Sequence, residues 1–508
     1  MAGPAPQPDP FARVVHRFSL AGKIDAAQTM LNWDAKTNMP RGGAWARGEQ
    51  MAALTEVSAD LVGSTAAGDE LAEAEAMAGA LEPDERADLK EMRRLWVHAA
   101  AVPKDLQAAK SRVSQNLQSI WTRAKPENDF ASFAGPFAEL LAIIREIAEA
   151  KAEALGTSLY GAMLDEYDPG VGQAMIDPIF DDLAAWLPPV IAEVRERQAR
   201  WPDPIPFGLT PVDRQAALSH RLAVAVGHKP ENFRIDQAPH PFSVPHSPGD
   251  VRFTTRYDET NPRFAIMATL HEAGHAMYEF NLPRGFAFRP AGMARGMTVH
   301  ESQSLSLEMI AGRSAEFIGF LAPLLAETFG GDPAPWSLAN VANTWRRLDN
   351  GYIRVEADEI SYPLHVILRY RLEQALLSGD LAVADIPGAW NDGFAKLLGR
   401  TPPTMAEGCL QDIHWSAGLF GYFPNYAMGS MLAAQLVERA TAEAPDILPS
   451  LRNGDFRPYF DWMRPRVHER ASLVDFATLV ADATGGPLSA EPFKRHVRRR
   501  YLEEAAPA

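Results

Sequence analysis

Asn261-Pro262-Arg263-Phe264-Ala265-Ile266-Met267-Ala268-Thr269-Leu270-His271-Glu272-Ala273-Gly274-His275-Ala276-Met277-Tyr278-Glu279-Phe280 is the stretch on which the reading of this chain turns. Asn261 can cap a helix, and Pro262 suits a first turn because its missing N–H would have no partner there anyway. From Phe264 to Phe280 the one helix breaker is Gly274, and Asn281, Pro283 and Gly285 then end the run. The pattern predicts a helix with His271 and His275 four residues apart. At about 100° per residue the two imidazoles emerge on one face, roughly 40° apart, within reach of a single ion. Glu272 projects about 100° round from His271. It can lean over an open coordination position without being a ligand. Two imidazole ligands and one carboxylate base form the His-Glu-x-x-His arrangement of a metal-assisted hydrolase.

A catalytic zinc ion needs a third protein ligand and a water. Glu301, in His300-Glu301-Ser302-Gln303-Ser304, is the candidate. The same residues allow a second reading, because Thr298-Val299-His300-Glu301 has the form of a capping box with Thr298 as N-cap. Either way a helix starts here and presents Glu301 in its first turns. Glu308, two turns on, can orient a ligand histidine or join an ion pair.

Outward from this centre the chain is mostly helical. Between Phe11 and about Arg200, Ala, Leu and Glu dominate. Apolar residues recur at three- and four-residue spacing, as in the stripe Phe137, Leu140, Leu141, Ile144 and Ile147, which reads as core packing. Trp201 to Pro211 is proline-rich and reads as a loop. Val251-Arg252-Phe253-Thr254-Thr255-Arg256-Tyr257 alternates and is rich in β-branched and aromatic residues, so it is the best strand candidate. No repeat and no low-complexity linker divides the chain. The expected fold is mainly α with a small β-sheet: a Pro-rich disordered tail over 1–10, then a single domain over 11–508. Two lobes flanking a groove are compatible with that pattern. The basic run Lys494-Arg495-His496-Val497-Arg498-Arg499-Arg500 is expected to be a solvated helix end.

Composition narrows the function classes. Of 508 residues, 65 are acidic and 49 basic, a formal charge of −16, which disfavours binding to a phosphate backbone. A nucleic-acid partner is therefore not expected. The one cysteine, Cys409, rules out an intramolecular disulfide and a Cys-rich zinc site. There is no apolar run of bilayer length and no signal-peptide pattern at the first residues, so the expectation is a cytoplasmic protein without a membrane partner.

Several motifs then point the same way. Asn32-Trp33-Asp34-Ala35-Lys36-Thr37-Asn38-Met39-Pro40 lies near the start, and Asp250-x-Arg252-x-Thr254 precedes the histidine helix. His300-Glu301-Ser302-Gln303, Ile353-Arg354-x-x-Ala357-Asp358 and Gly408-x-x-Gln411-Asp412-x-His414-Trp415 follow it. In this ordered set the chain resembles the carboxypeptidase Taq family of metallocarboxypeptidases, over about residues 15 to 500. Leu305 to Met309, Pro363 and Asn425 depart from the family pattern, but ligand and base positions are spared. The resemblance implies a large helical, two-lobed zinc peptidase with a deep active-site groove and a small sheet beside it. It also implies a homodimer and broad carboxypeptidase activity on peptides with a free C-terminus.

On that reading the metal is Zn2+, with Co2+ as the alternative, held by His271, His275 and Glu301. Glu272 accepts the proton of the attacking water. His414 is the candidate donor to the developing oxyanion, assisted by Tyr422 or Tyr426; alternatively His414 is a structural residue bonded to Asp412. An exopeptidase must grip a carboxylate, and the planar fork of arginine suits that task. Arg354 ranks before Arg252, unless Arg354 is consumed by Glu356 or Asp358. Asp250 and Thr254 go with Arg252 on the substrate side. Gln411 can bond the substrate backbone, as can the edge of the strand at 251–257. The competing readings are a related oligoendopeptidase or dipeptidyl carboxypeptidase, and a catalytically silent, zinc-stabilised peptide-binding scaffold. Retention of Glu272 speaks against the scaffold, since a structural site needs no base.

Overall fold

The computed structural model describes residues 9–247, 249–348 and 351–504. The chain is mainly helical and holds one three-stranded sheet among the described residues. Most of the tail expected over 1–10 lies outside the described residues; Asp9 and Pro10 belong to the first helix as its cap and first residue.

The chain divides into two compact units. The first comprises the segments up to Ala101, Leu209–Arg295 and Gly454–Ala483; the second comprises Val102–Gly208, Gly296–Asn453 and the segment from Thr484. Because each unit is stitched from three pieces, no linker composition marks a boundary in the sequence.

In the first unit, helix Pro10–Thr37 starts where the Asp9 carboxylate accepts the N–H of Phe11. Helix Pro83–Ala100 opens with a reciprocal capping box between Glu82 and Glu85. Phe11, Val14 and Phe18 pack with Leu71, Leu89 and Met92 in a core cluster. The sheet comprises β1 (Phe233–Gln237), β2 (Ser243–Ser247) and β3 (Asp250–Thr255), in the order β1-β3-β2. β1 runs parallel and β2 antiparallel to β3. Val251 and Phe253 are buried on one face, with Phe253 stacked on Phe233 and edged by His228. The predicted strand is therefore present but ends at Thr255, and its two partners escaped the reading. β2 carries Pro245, which a central strand would not tolerate and an edge strand does.

In the second unit the stripe on helix Phe130–Leu155 is buried as expected, and Phe137 stacks on Phe133, Trp415 and Phe420. The basic run near the C-terminus behaves differently from expectation. Lys494, His496 and Arg500 are buried. Glu359 receives His496, Arg500 and the Tyr501 hydroxyl, while Arg500 also donates to the carbonyls of Met309 and Ile310, both at 2.6 Å. Those carbonyls lie in a π-helical turn, Ser306–Ala311, where regular helix pairing is broken. The run is thus an internal clasp on the segment that follows Glu301. A charge pattern alone could not reveal this, because Glu359 lies more than a hundred residues away in sequence.

Candidate metal centre and carboxylate site

The histidine helix spans Pro262–Phe280, with Asn261 at its N-cap as anticipated; the Asn261 side chain makes no capping bond. His271 and His275 meet edge to face, ring centroids 4.9 Å apart, and Glu272 is buried beside them. The helix is held from behind. Buried His228 lies 3.0 Å through Nε2 from the Ala273 carbonyl, so that nitrogen carries the proton. Burial pulls this imidazole down to about 4, which keeps it neutral. Tyr278 accepts the backbone N–H of Arg295 at 3.0 Å, and the Arg295 guanidinium binds Glu91 at 2.8 Å.

The next helix, Met297–Leu305, begins differently from the predicted capping box. Gly296 is its N-cap, and Thr298 lies inside the helix. The buried Asp168 supplies the cap from outside, accepting the N–H of Thr298 at 2.8 Å and its hydroxyl as well. Gly296 has φ +85°, and a Cβ there would fall 2.6 Å from Asp168 Oδ1. Glu301 is released from capping duty and buried against helix Pro424–Glu443. The approach is so close that a Cβ at Gly429 would lie 2.7 Å from Glu301 Cβ. Glu308 sits 3.9 Å from Arg313, an ion pair. His271, His275 and Glu301 can each offer one donor atom to a metal ion. Two imidazoles and a carboxylate are the donor set of a catalytic site with room for water.

A second constellation surrounds Arg354. Its guanidinium donates to Asp412 Oδ1 at 3.1 and 3.2 Å and to the Tyr362 hydroxyl at 3.3 Å, and stacks 4.5 Å from the Tyr426 ring. His414 Nε2 is 3.2 Å from the Tyr426 hydroxyl, whereas its Nδ1 is 4.0 Å from Asp412, too far for a hydrogen bond. Tyr422 packs 5.5 Å from Tyr426 and 5.6 Å from His414. Burial raises the Tyr426 hydroxyl to about 12, so it stays a donor.

The pattern of the Carboxypeptidase Taq (M32) metallopeptidase family matches residues 14–501. The chain belongs to this metallocarboxypeptidase family. It is 34% identical to "Thermostable carboxypeptidase 1" of Thermus thermophilus over 480 residues, 92% of this chain and 94% of that protein. It is 30% identical to "Carboxypeptidase 1" of Bacillus subtilis over 478 residues, 94% of each. Among solved structures, the metallocarboxypeptidase 1 of Trypanosoma cruzi superposes with a TM-score of 0.94 at 36% identity, over 97% of this chain and 99% of that one. The M32 carboxypeptidase of Deinococcus radiodurans gives 0.91 at 29% identity, over the same shares.

Within the metallocarboxypeptidase framework, several of the expected site residues carry bonds inside the chain that the sequence did not reveal. Gln411 accepts the backbone N–H of Arg354 at 2.8 Å and donates to the carbonyls of Tyr352 and Glu407. Both its donors are committed, so it positions Arg354 and has no N–H left for substrate backbone. β3 is the central strand, paired on both sides, so its edge cannot take up a peptide strand. Arg252 forms a two-pronged bond to Asp250, 2.8 Å each, and Thr254 bonds Phe242. Arg354 pairs with neither Glu356 nor Asp358. Asp358 instead accepts the N–H groups of Ile360 and Ser361 and the Ser361 hydroxyl, in the turn just ahead of helix Tyr362–Ser378. Among the described residues no single helix is long and apolar enough to cross a membrane.

Arg369, Tyr362, Glu373, Asp168 and Gly429 were missed. One signal was readable. His365, Arg369 and Glu373 recur every fourth residue on helix Tyr362–Ser378, and all three are buried. Glu373 fastens the segment behind His414, accepting Tyr160 Oη at 2.7 Å, Trp415 Nε1 at 3.0 Å and Gly421 N at 3.0 Å.

Proposed function

We propose that the protein removes single residues from the C-termini of peptides, with broad specificity, using a zinc ion held by His271, His275 and Glu301. The carrying observation is the pair of imidazoles on one helical face with a buried carboxylate, Glu272, between them in sequence. Zinc in this donor set would supply Lewis acidity toward a water and toward the scissile carbonyl. Cobalt is the alternative occupant, since the same ligands accept it.

The residues of the chain do the rest. The Glu272 carboxylate takes the proton of the attacking water and returns it to the leaving amine. His414 and the hydroxyl of Tyr422 or Tyr426 donate to the oxygen that gains charge, which is where fixed donors act most strongly. Arg354 receives the C-terminal carboxylate of the substrate. Arg252, Asp250 and Thr254 form one bonded patch of the sheet and are assigned to the substrate side on the strength of the motif. The same reading takes the enzyme as a homodimer, which the family resemblance supports. It places it in the cytoplasm, consistent with a single cysteine.

Digestion of a mixed peptide by the metal-loaded protein, read by mass with and without chelator, tests this. Release of single amino acids from the C-terminus, abolished by chelator, is expected. Dipeptides or internal fragments would instead make it a dipeptidyl carboxypeptidase or an oligoendopeptidase, and chelator-resistant hydrolysis would remove the metal from the reaction.

A further inference from the structure

Asp412 is shared. One carboxylate oxygen faces Arg354, and the other takes Arg369 Nε at 2.6 Å. Arg369 is fully buried. Its Nη1 donates to the His365 carbonyl at 2.6 Å, and its plane lies 4.6 Å from Trp390 and 5.3 Å from Phe423. Two guanidiniums therefore face a single carboxylate in a buried place. The cluster keeps one unit of positive charge, although each arginine taken alone looks neutralised.

Among the described residues no carboxylate other than Asp412 bonds either guanidinium, although Glu301 lies near the Tyr362 and Tyr426 rings. Glu373 is one helical turn beyond Arg369, yet its oxygens are spent on Tyr160, Trp415 and Gly421, and burial lifts its carboxyl to about 7. Tyr362 and Tyr426 are held neutral by burial. His365 is buried and stays neutral because burial, then Arg369, Arg354 and Arg400, all oppose a proton there. That third arginine adds to the positive field rather than offsetting it. Arg369 itself is pulled down by burial, to about 10, and still carries its charge at neutral pH. A buried excess charge is costly unless an anion completes it. Asp412 lies closer to Arg369, at 2.6 Å, than to Arg354, at 3.1 and 3.2 Å, so by distance the unmatched share of charge falls on Arg354.

We propose that Arg369 is a specificity-determining positioning residue: by claiming half of Asp412 it leaves Arg354 with a charge that only a substrate carboxylate completes. This rests on the reading that Arg354 receives the C-terminal carboxylate. Without Arg369, Asp412 would belong to Arg354 alone, and the pair would be neutral. A free-acid peptide would then lose its advantage over an amide.

The test uses the metal-loaded, full-length enzyme with one peptide as free acid and as C-terminal amide. Arg369→Met keeps bulk and removes charge; Arg369→Lys restores charge. The expected result for Arg369→Met is a fall of about tenfold or more in the acid-to-amide ratio of kcat/KM, carried by KM of the acid, with kcat for the amide kept. Arg369→Lys should recover most of the ratio. Binding of an N-acyl amino acid, followed by calorimetry, should weaken in parallel. Asp412→Asn has the opposite sign: it removes the shared anion and should hold or tighten N-acyl amino acid binding, which keeps the test open if Arg369→Met does not fold. Equal losses for acid and amide in Arg369→Met, or weaker N-acyl amino acid binding in Asp412→Asn, would overturn the inference. If the wild-type enzyme cleaves acid and amide equally, the carboxylate reading itself fails. If Arg354→Met abolishes discrimination and Arg369→Met does not, that reading stands and this inference falls.

Discussion

His271 and His275 share a helix face because four residues separate them, whereas Asp412 meets Arg369 and Arg354 across 43 and 58 residues. The first group needs little more than a helix to come together. Its quality depends on what holds the helix: His228 on the Ala273 carbonyl, and Tyr278 on the Arg295 backbone. The second group exists only once four separate stretches have folded, and its charge balance is a property of the assembly. Local chemistry is thus robust to distant change, while the assembled site is exposed to every buried group that shares its charges.

Three substitutions sharpen this contrast, beginning with the largest effect. Glu272→Gln breaks the local group at its base alone. Metal content should stay at wild-type stoichiometry while turnover falls by about a thousandfold or more, measured by metal analysis and peptide hydrolysis. Substantial residual activity would take the base role from Glu272.

Gly429→Ala strikes Glu301 from outside its own helix. The added methyl meets Glu301 Cβ at 2.7 Å and Cγ at 2.9 Å, so side chain or helix must give way. Metal affinity should fall by about tenfold to a hundredfold, read by competition with a chromophoric chelator, while the two histidines are untouched. Unchanged affinity would show that Glu301 moves without cost or is not a ligand.

The smallest effect concerns Glu373, which holds the segment between Trp415 and Gly421. In the folded protein its carboxyl titrates at about 7, against an ordinary 4.5, because it is buried. Between those values the folded state binds more protons than the unfolded chain, so stability falls as pH rises through that window and levels above it. The slope is at most about 1.4 kcal/mol per pH unit. Denaturant melts from pH 4.5 to 7 should show this component in the wild type and lack it in Glu373→Gln. The same slope in both would place the titration elsewhere.

How much was legible follows the same division. The histidine helix, the strand at 251–255, the buried stripe on Phe130–Leu155 and the irregular stretch after Trp201 could be read because each is a matter of near neighbours. The capping box at Thr298 failed although its spacing was right, because a distant carboxylate, Asp168, outcompeted the local one. The basic run at 494–500 failed for a similar reason: Glu359 makes burial of His496 and Arg500 tolerable, and its distance in sequence hides it. The bonds that occupy Gln411 and both sides of the strand were not legible, because a sequence shows donors but not whether they are already engaged.

By itself the sequence determined the mainly helical class, the histidine helix with its paired imidazoles and, through ordered motifs, the family. Helical periodicity and ligand spacing are encoded within a few residues, and residue type dictates what each group can donate or accept. Tertiary structure alone decided which polar groups are already satisfied and how charges are shared. Whether Asp412 neutralises one arginine or serves two depends on three side chains meeting in a buried place, where an unmatched charge can no longer be answered by water.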